Sequence, residues 1–143
     1  MNHELALNRI GEQLGLPLEF DQSNQCMLLL DSHLLVSIKP KSDRWDVTCL
    51  LTKVEPEHEH ILLKQALLVN NKLNQIEAGY IYFEDNSKAL LYVTRIKNVE
   101  NTEEITTKLT EVINRYEELQ SIFQSKELSN EDIVLLRGSE HGY

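Results

Sequence analysis

The sequence has few of the residues on which several functional classes depend. It contains two cysteines and five glycines, and Cys26 and Cys49 do not form a Cys-x-x-Cys pair. A disulfide framework and a cysteine-based metal site are therefore both unsupported, and we expect two buried, reduced thiols. The glycines are scattered, without the G-x-G-x-x-G or Walker spacing that cradles a phosphate group.

Positive charge and long apolar runs are also scarce. The chain has 14 Lys and Arg against 23 Asp and Glu, a net charge of −9. Nucleic acids and anionic membranes require clustered positive charge, so neither partner is expected. No apolar run approaches the roughly 20 residues of a membrane span, and the first residues lack the basic and apolar regions of a signal peptide. We expect a cytoplasmic protein whose partner is basic or hydrophobic.

Groups suited to catalysis or metal binding stand apart from one another. His58 and His60 alternate with glutamates, but two residues apart they would face different sides of a helix. His33 is interpreted as a turn residue that faces solvent. A pocket beside Trp45 and His33 remains an alternative, which would make the chain a small-ligand-binding domain. We predict no cofactor, no metal and no enzymatic activity.

Residue periodicity predicts the order α-β-β-β-α-β-β-α, an α+β fold with helices packed on a twisted antiparallel sheet. Short polar turns between the first three strands favour antiparallel pairing. Asn101 and Glu104 have the spacing of a helix-capping pair. One domain is expected over residues 1–124, followed by an acidic, mobile tail at 125–143. The predicted helices are 3–15, 57–75 and 102–124, and the predicted strands are 25–30, 34–39, 44–54, 79–84 and 88–96.

The first predicted strand is apolar on both faces. Side chains of a strand point alternately to its two faces, and a half-buried strand needs apolar residues on only one of them. Here Cys26, Leu28 and Leu30 share one face, while Met27 and Leu29 share the other. The second apolar face therefore requires a cover, which we expect a partner to supply.

The second predicted helix is apolar over most of its circumference. One stripe runs through Leu62, Ala66, Val69, Leu73 and Ile76, and further leucines lie on both sides of it. A helix of this kind must be covered on more than one side. We therefore predict a homodimer in which the helix meets its copy about a two-fold axis. The predicted dimer residues are Leu63, Leu67, Leu68 and Asn71, with Tyr80 and Tyr82 alongside.

Two segments carry a resemblance to a known family. Residues 10–21 read Ile-Gly-x-x-Leu-Gly-Leu-Pro-Leu-x-Phe-Asp, and residues 25–31 read Gln-Cys-x-Leu-Leu-Leu-Asp. With Ser37-Ile38 and Trp45, these segments resemble the class I type III secretion chaperones of the CesT/SycE family. The resemblance covers residues 5–124 and does not extend into the tail.

The resemblance implies a small acidic homodimer of the bacterial cytoplasm, without cofactor or metal. Such chaperones bind a segment near the N-terminus of a secreted effector in extended form, keep it competent for secretion and deliver it to the secretion machinery. A dimeric adaptor that recognises folded proteins, without a role in secretion, is the other alternative. The residues expected to face the effector are Leu5, Ile10, Leu14, Leu16, Met27, Leu29, Leu35 and Leu50.

Overall fold

A computed structural model describes residues 3–97 and 101–124 of the chain. It confirms the predicted α+β order, and a short 3-10 helix at Pro56–His58 precedes the second α-helix. The helices are α1 (His3–Leu14), α2 (Glu59–Gln75) and α3 (Thr102–Gln124). The strands are β1 (Cys26–Leu30), β2 (Leu34–Pro40), β3 (Arg44–Lys53), β4 (Tyr80–Glu84) and β5 (Ala89–Lys97).

The strands form one five-stranded antiparallel sheet in the order β1-β2-β3-β5-β4. In the β1–β2 hairpin Leu28 lies opposite Val36, and in the β4–β5 hairpin Ile81 lies opposite Tyr92. Two strands, β1 and β4, are therefore the edges of the sheet. An edge strand pairs on one side only, so the backbone N–H and C=O groups on its other side can bond to another chain.

The chain divides into two compact units. Among the described residues, the first unit consists of residues 3–48, 94–97 and 101–114, and the second consists of residues 49–93 and 115–124. Each unit has its own set of buried apolar side chains, and each is described separately below.

The buried centre of the first unit lies around Trp45, which is fully buried. Its indole Nε1 donates a hydrogen bond to Nδ1 of His3 at 2.9 Å, and the ring of Phe20 meets it edge-on at 6.2 Å. Leu7 and Ile10 of α1 are also fully buried. A buried indole N–H needs an acceptor, because leaving such a donor unsatisfied is costly. The bond therefore fixes the first turn of α1 to β3.

Glycine is required at one position in the last part of α1 and at one position in the turn that follows it. The N–H of Leu16 donates to the carbonyl oxygen of Gly11 at 2.8 Å, which closes the C-terminal end of the helix. A Cβ atom on Gly11 would collide with the carbonyl oxygen of Leu16. Gly15 has a φ of +71°, in the left-handed region that favours glycine. The Gly-Leu-Pro sequence therefore produces a tight and specific turn into the segment before β1.

The second unit is held by side chains that bond to backbone carbonyl groups. The hydroxyl of Tyr116 donates to the carbonyl of Leu50, and Nε2 of Gln124 donates to that of Leu51 at 3.1 Å. The apolar residues of α2 that are buried form the single stripe expected from the sequence: Leu62, Ala66, Val69 and Leu73. The two hydrogen bonds join α3 to β3, and α2 has one buried face.

Most predicted boundaries are confirmed to within two residues. The second helix starts later than predicted, because residues 56–58 take the tighter 3-10 form. The predicted cap of the third helix is confirmed by the Glu104 N–H, which donates to Oδ1 of Asn101 at 3.2 Å. The predicted tail at 125–143 lies outside the described residues.

Replacing Tyr116 by Phe tests the link between α3 and β3. The variant removes the donor to the carbonyl of Leu50 without opening a large cavity, so we expect a loss of about 1–2 kcal/mol in the free energy of unfolding. Denaturant unfolding measures this loss. Thr107→Ala, which removes an exposed hydroxyl from the same helix, is the control and should change stability by no more than about 0.5 kcal/mol. Equal effects of the two variants would contradict the assignment.

Candidate interaction surfaces

The two faces of β1 differ sharply in exposure. Cys26 and Leu28 are buried, whereas Met27 and Leu29 are 49% and 64% exposed. Leu35 of β2 lies directly opposite Leu29 and is half-buried. The structure therefore confirms that the apolar residues of β1 are divided between a covered face and an open one.

The first unit carries a set of exposed apolar residues that we call the first apolar surface. Its strand members, Met27 and Leu29, belong to the edge strand β1. Its other members lie on α1 and in the turn after it, and each is more than a third exposed. Exposed apolar residues that form a continuous patch mark an interaction site, and all of these residues belong to the first unit. The first apolar surface consists of Leu5, Leu14, Leu16, Met27 and Leu29.

Ile10 does not belong to this surface. The sequence pattern placed it with the residues that face the effector, but its side chain is fully buried. It shares the inner side of α1 with Ala6, Leu7 and Gly11, which are also buried. Leu14 lies four residues further along but is exposed, because the helix ends there and the chain turns away at Gly15. The prediction that Ile10 faces the effector is therefore wrong, and Ile10 belongs to the core.

Leu50 is placed in the second unit and is half-buried. Its carbonyl group accepts the hydrogen bond from Tyr116, so its backbone is held by α3. Leu50, which the sequence predicted to face the effector, is therefore only partly accessible. We do not include Leu50 in the first apolar surface.

The second unit carries its own exposed set, the second apolar surface. Leu67 and Leu68 of α2 are 72% and 45% exposed, and Tyr80 and Tyr82 of β4 are about half exposed. Leu63 is half-buried and Asn71 is exposed. Ile61 is also exposed, and the sequence prediction omitted it although it flanks the same stripe. The second apolar surface consists of Ile61, Leu67, Leu68, Tyr80 and Tyr82.

The hairpin that carries the two tyrosines is fixed at its turn. The N–H and the hydroxyl of Ser87 each donate to Oε2 of Glu84 at 2.6 Å. These bonds lower the pKa of the Glu84 carboxyl group. Nζ of Lys88 lies 2.5 Å from Oδ1 of Asp85 in the same turn. The turn connects β4 and β5 in the observed register. Tyr80 and Tyr82 lie on one face of β4, because residues two apart in a strand point the same way.

The residues considered for a ligand pocket do not come together. Trp45 is fully buried, and the nearby opening is lined by other residues, among them His3 and Phe20, but not by His33. Nδ1 of His33 lies 2.7 Å from the carbonyl oxygen of Asp31, within its own turn. The structure therefore contradicts a pocket formed by Trp45 with His33.

Ionisable side chains form no candidate metal site in the part of the chain that the structure describes. Across residues 3–97 and 101–124, no three His, Cys, Asp or Glu side chains are grouped in a way that could hold a metal ion. Nε of Arg44 bonds to Oδ1 of Asp46 at 2.9 Å, and Arg95 approaches the same carboxylate at 3.7 Å. This cluster is a network of ion pairs on the sheet.

Both cysteines are buried and free, as the sequence predicts. Desolvation raises the pKa of Cys26, and it raises the pKa of Cys49 from 9.0 to about 12. A thiol in such surroundings stays protonated and is a poor nucleophile. The two residues therefore act as small apolar core side chains.

Most of the chain matches a known protein family. Residues 6–120 match the Tir chaperone protein (CesT) family, which is most of the chain. The chain belongs to the CesT family. The sequence resemblance at residues 10–31 is thereby confirmed at the level of the family. None of the helices in the described ranges combines the length and apolar character needed to cross a bilayer.

Solved structures show the same fold in other proteins. A chain of the ExsC–ExsE complex matches this CesT-family chain with a TM-score of 0.69 and 15% identity, over 89% of this chain and 100% of that one. A chain of the HopA1–SchA chaperone–effector complex matches with a TM-score of 0.65 and 14% identity, over 83% and 93%. A chain of the ExoU–SpcU complex from Pseudomonas aeruginosa matches with a TM-score of 0.56 and 15% identity, over 84% and 96%. At these identities the matches establish a shared fold.

Thiol labelling tests the burial of the two cysteines. In the folded protein at pH 8 we expect an aromatic disulfide reagent to react with neither thiol at a measurable rate, and to react with both after unfolding. Folding raises the pKa of the Cys49 thiol from 9.0 to about 12, so below pH 9 this thiol is protonated in both states and should not make the free energy of unfolding depend on pH. As the pH rises from 9 toward 12, the thiol ionises more readily in the unfolded state, and the free energy of unfolding should fall. Rapid labelling of folded protein at pH 8 would contradict the assignment.

Proposed function

We propose that this protein is a type III secretion chaperone that binds the N-terminal segment of an effector in extended form and keeps it competent for secretion. The observation that carries the proposal is the first apolar surface on a chain of the CesT family. Two of the similar structures are described as chaperone–effector or heterodimeric type III secretion complexes, which supports the same class of partner. On this proposal the protein acts in the bacterial cytoplasm and delivers its client to the secretion machinery.

An extended client suits the edge strand of the first unit. Ordering an unfolded segment costs conformational entropy, which buried apolar area and backbone hydrogen bonds must offset. The edge strand β1 offers both, because its outer side is unpaired in the sheet order and its open face carries Met27 and Leu29. A client strand beside β1 would add one strand to the sheet, while its side chains met the exposed residues.

The client is proposed to be basic or apolar in its bound segment. The chain carries a net charge of −9, which favours and steers a partner of opposite charge. The sequence of residues 10–31 resembles that of the chaperone SicP in particular. On that resemblance we propose a client similar to the effector SptP.

The second apolar surface is proposed to join two copies in a homodimer. Leu67 is 72% exposed, and Leu68 and the two tyrosines of β4 lie in the same unit. Contacts about a two-fold axis would place each residue of this surface against residues of the same surface on the second copy. Leu63 and Asn71, predicted from the sequence, lie on the same helix and belong to this proposal.

Leu29→Glu tests the first apolar surface. Because Leu29 is exposed, the charge should leave the fold unchanged, but it would be buried unpaired under a bound client. We expect the affinity for an N-terminal effector fragment to fall by at least about tenfold, as for a central interface residue. Calorimetry or co-purification with the fragment measures the loss. A folded Leu29→Glu variant that binds the fragment as the wild type does would remove this surface from the proposal.

Leu67→Glu is the matched variant on the second apolar surface, with the same substitution at another exposed leucine. We expect the wild type to sediment at twice the 16.6 kDa of one chain at micromolar concentration. Leu67→Glu should sediment near the mass of one chain, whereas Leu29→Glu should keep the mass of the wild type. A wild-type mass near 16.6 kDa would contradict the dimer. It would not affect the first apolar surface, which the Leu29→Glu variant tests separately.

A further inference from the structure

The side chain of Asn70 bonds to the backbone of β4 at two points. Its Nδ2 donates to the carbonyl oxygen of Ile81 at 3.1 Å, and the N–H of Ile81 donates to its Oδ1 at 2.5 Å. Asn70 is half-buried on α2, and the Ile81 side chain is buried. A carboxamide has one acceptor and one donor group side by side, which is also what a neighbouring strand presents to a single residue.

The register of the hairpin shows which edge of β4 these bonds occupy. Ile81 lies opposite Tyr92 of β5, and its backbone N–H and C=O are both directed to Asn70. In an antiparallel pair, backbone groups point alternately toward the partner strand and away from it. Ile81 therefore faces the outer edge, and Tyr80 and Tyr82 bond toward β5. In this five-residue strand, Ile81 and Phe83 are the residues with outward backbone groups, and Asn70 occupies one of the two.

The position of this contact matters because β4 is exposed in other respects. It is an edge strand, and it carries Tyr80 and Tyr82 on an open face. Apolar edge strands pair readily with strands of other chains unless they are blocked. The other edge strand, β1, has no side-chain bond of this kind to its backbone within the described residues. The outer backbone of β4 is therefore bonded to a side chain, whereas that of β1 is not within the described residues.

We propose that Asn70 closes the outer edge of β4 to strands from a second copy of this chain. Self-association through the second apolar surface then uses the side chains of α2 and β4, and no continuous sheet forms across two copies. The edge at β1 stays available for pairing. The part of this inference that concerns self-association rests on the proposed dimer, whereas the closed edge does not.

Hydrogen exchange in the wild-type protein tests the closed edge without any variant. We expect the amide of Ile81 to exchange at least about tenfold more slowly than the amide of Phe83, because among residues 3–97 and 101–124 only the first has an acceptor at the outer edge. Equal protection of both amides is the result that strand pairing between two copies would give, and it would overturn the proposal. Equally fast exchange of both would overturn it as well.

Asn70→Ala and Asn70→Asp separate the hydrogen bonds from the helix that carries them. Asn70→Ala should speed exchange at Ile81 by at least about tenfold. Asn70→Asp replaces the Nδ2 donor by an oxygen that faces the carbonyl oxygen of Ile81, so it should speed exchange at Ile81 as well. Asn74→Ala removes an exposed amide one turn later on α2 and serves as the control. Slow exchange at Ile81 in a folded Asn70→Ala contradicts the assigned bonds.

Sedimentation of the same variants tests the consequence for self-association. Asn70→Ala should form species larger than those of the wild type at the same concentration, because its β4 edge is open to pairing, and Asn74→Ala should not. An unchanged distribution for Asn70→Ala would overturn the proposed role. A monomeric wild type would instead contradict the proposed dimer. The closed outer edge of β4 would still be tested by the hydrogen exchange of the Ile81 amide, so the two failures are distinguishable.

Discussion

The structure depends on one constraint, which is that successive side chains of a strand point to opposite faces. In β1 both faces are apolar, and only one of them is buried against the core. The alternation continues along most of β2 and β3, where buried residues alternate with half-buried ones until the exposed Lys39 and Lys53 near the strand ends. A chain with this pattern keeps part of its apolar area open to solvent after folding, and that area is available to a partner.

The covered face is held in place by a few polar contacts rather than by apolar packing alone. Trp45 donates to His3 at the start of α1, and Tyr116 donates to a carbonyl of β3 from α3. Each contact satisfies a buried polar group that would otherwise be costly, so each specifies one position of a helix against its strand.

The edges of the sheet carry a second distinction. Asn70 occupies the outer backbone of Ile81, while β1 has no comparable side-chain cap within the described residues. Pairing of an exposed edge strand with strands of other chains leads to aggregation, and a side chain bonded to the outer backbone of the strand opposes such pairing. The exposed tyrosines beside Ile81 can then contribute contact area without supplying a template for strand growth.

Periodicity and turn chemistry in the sequence were sufficient to determine the order of elements, the Gly-Leu-Pro turn and the stripe of α2 that is buried. They also separated Met27 and Leu29 from their buried neighbours, because local pattern alone decides which face of a strand a residue joins. Tertiary structure decided what local pattern leaves undetermined. Ile10 and Leu14 share one helical stripe, yet only Ile10 is buried, since burial depends on where the helix ends against its neighbours. The bond from Asn70 to Ile81 joins residues eleven apart, and its geometry exists only once α2 lies beside the edge of β4.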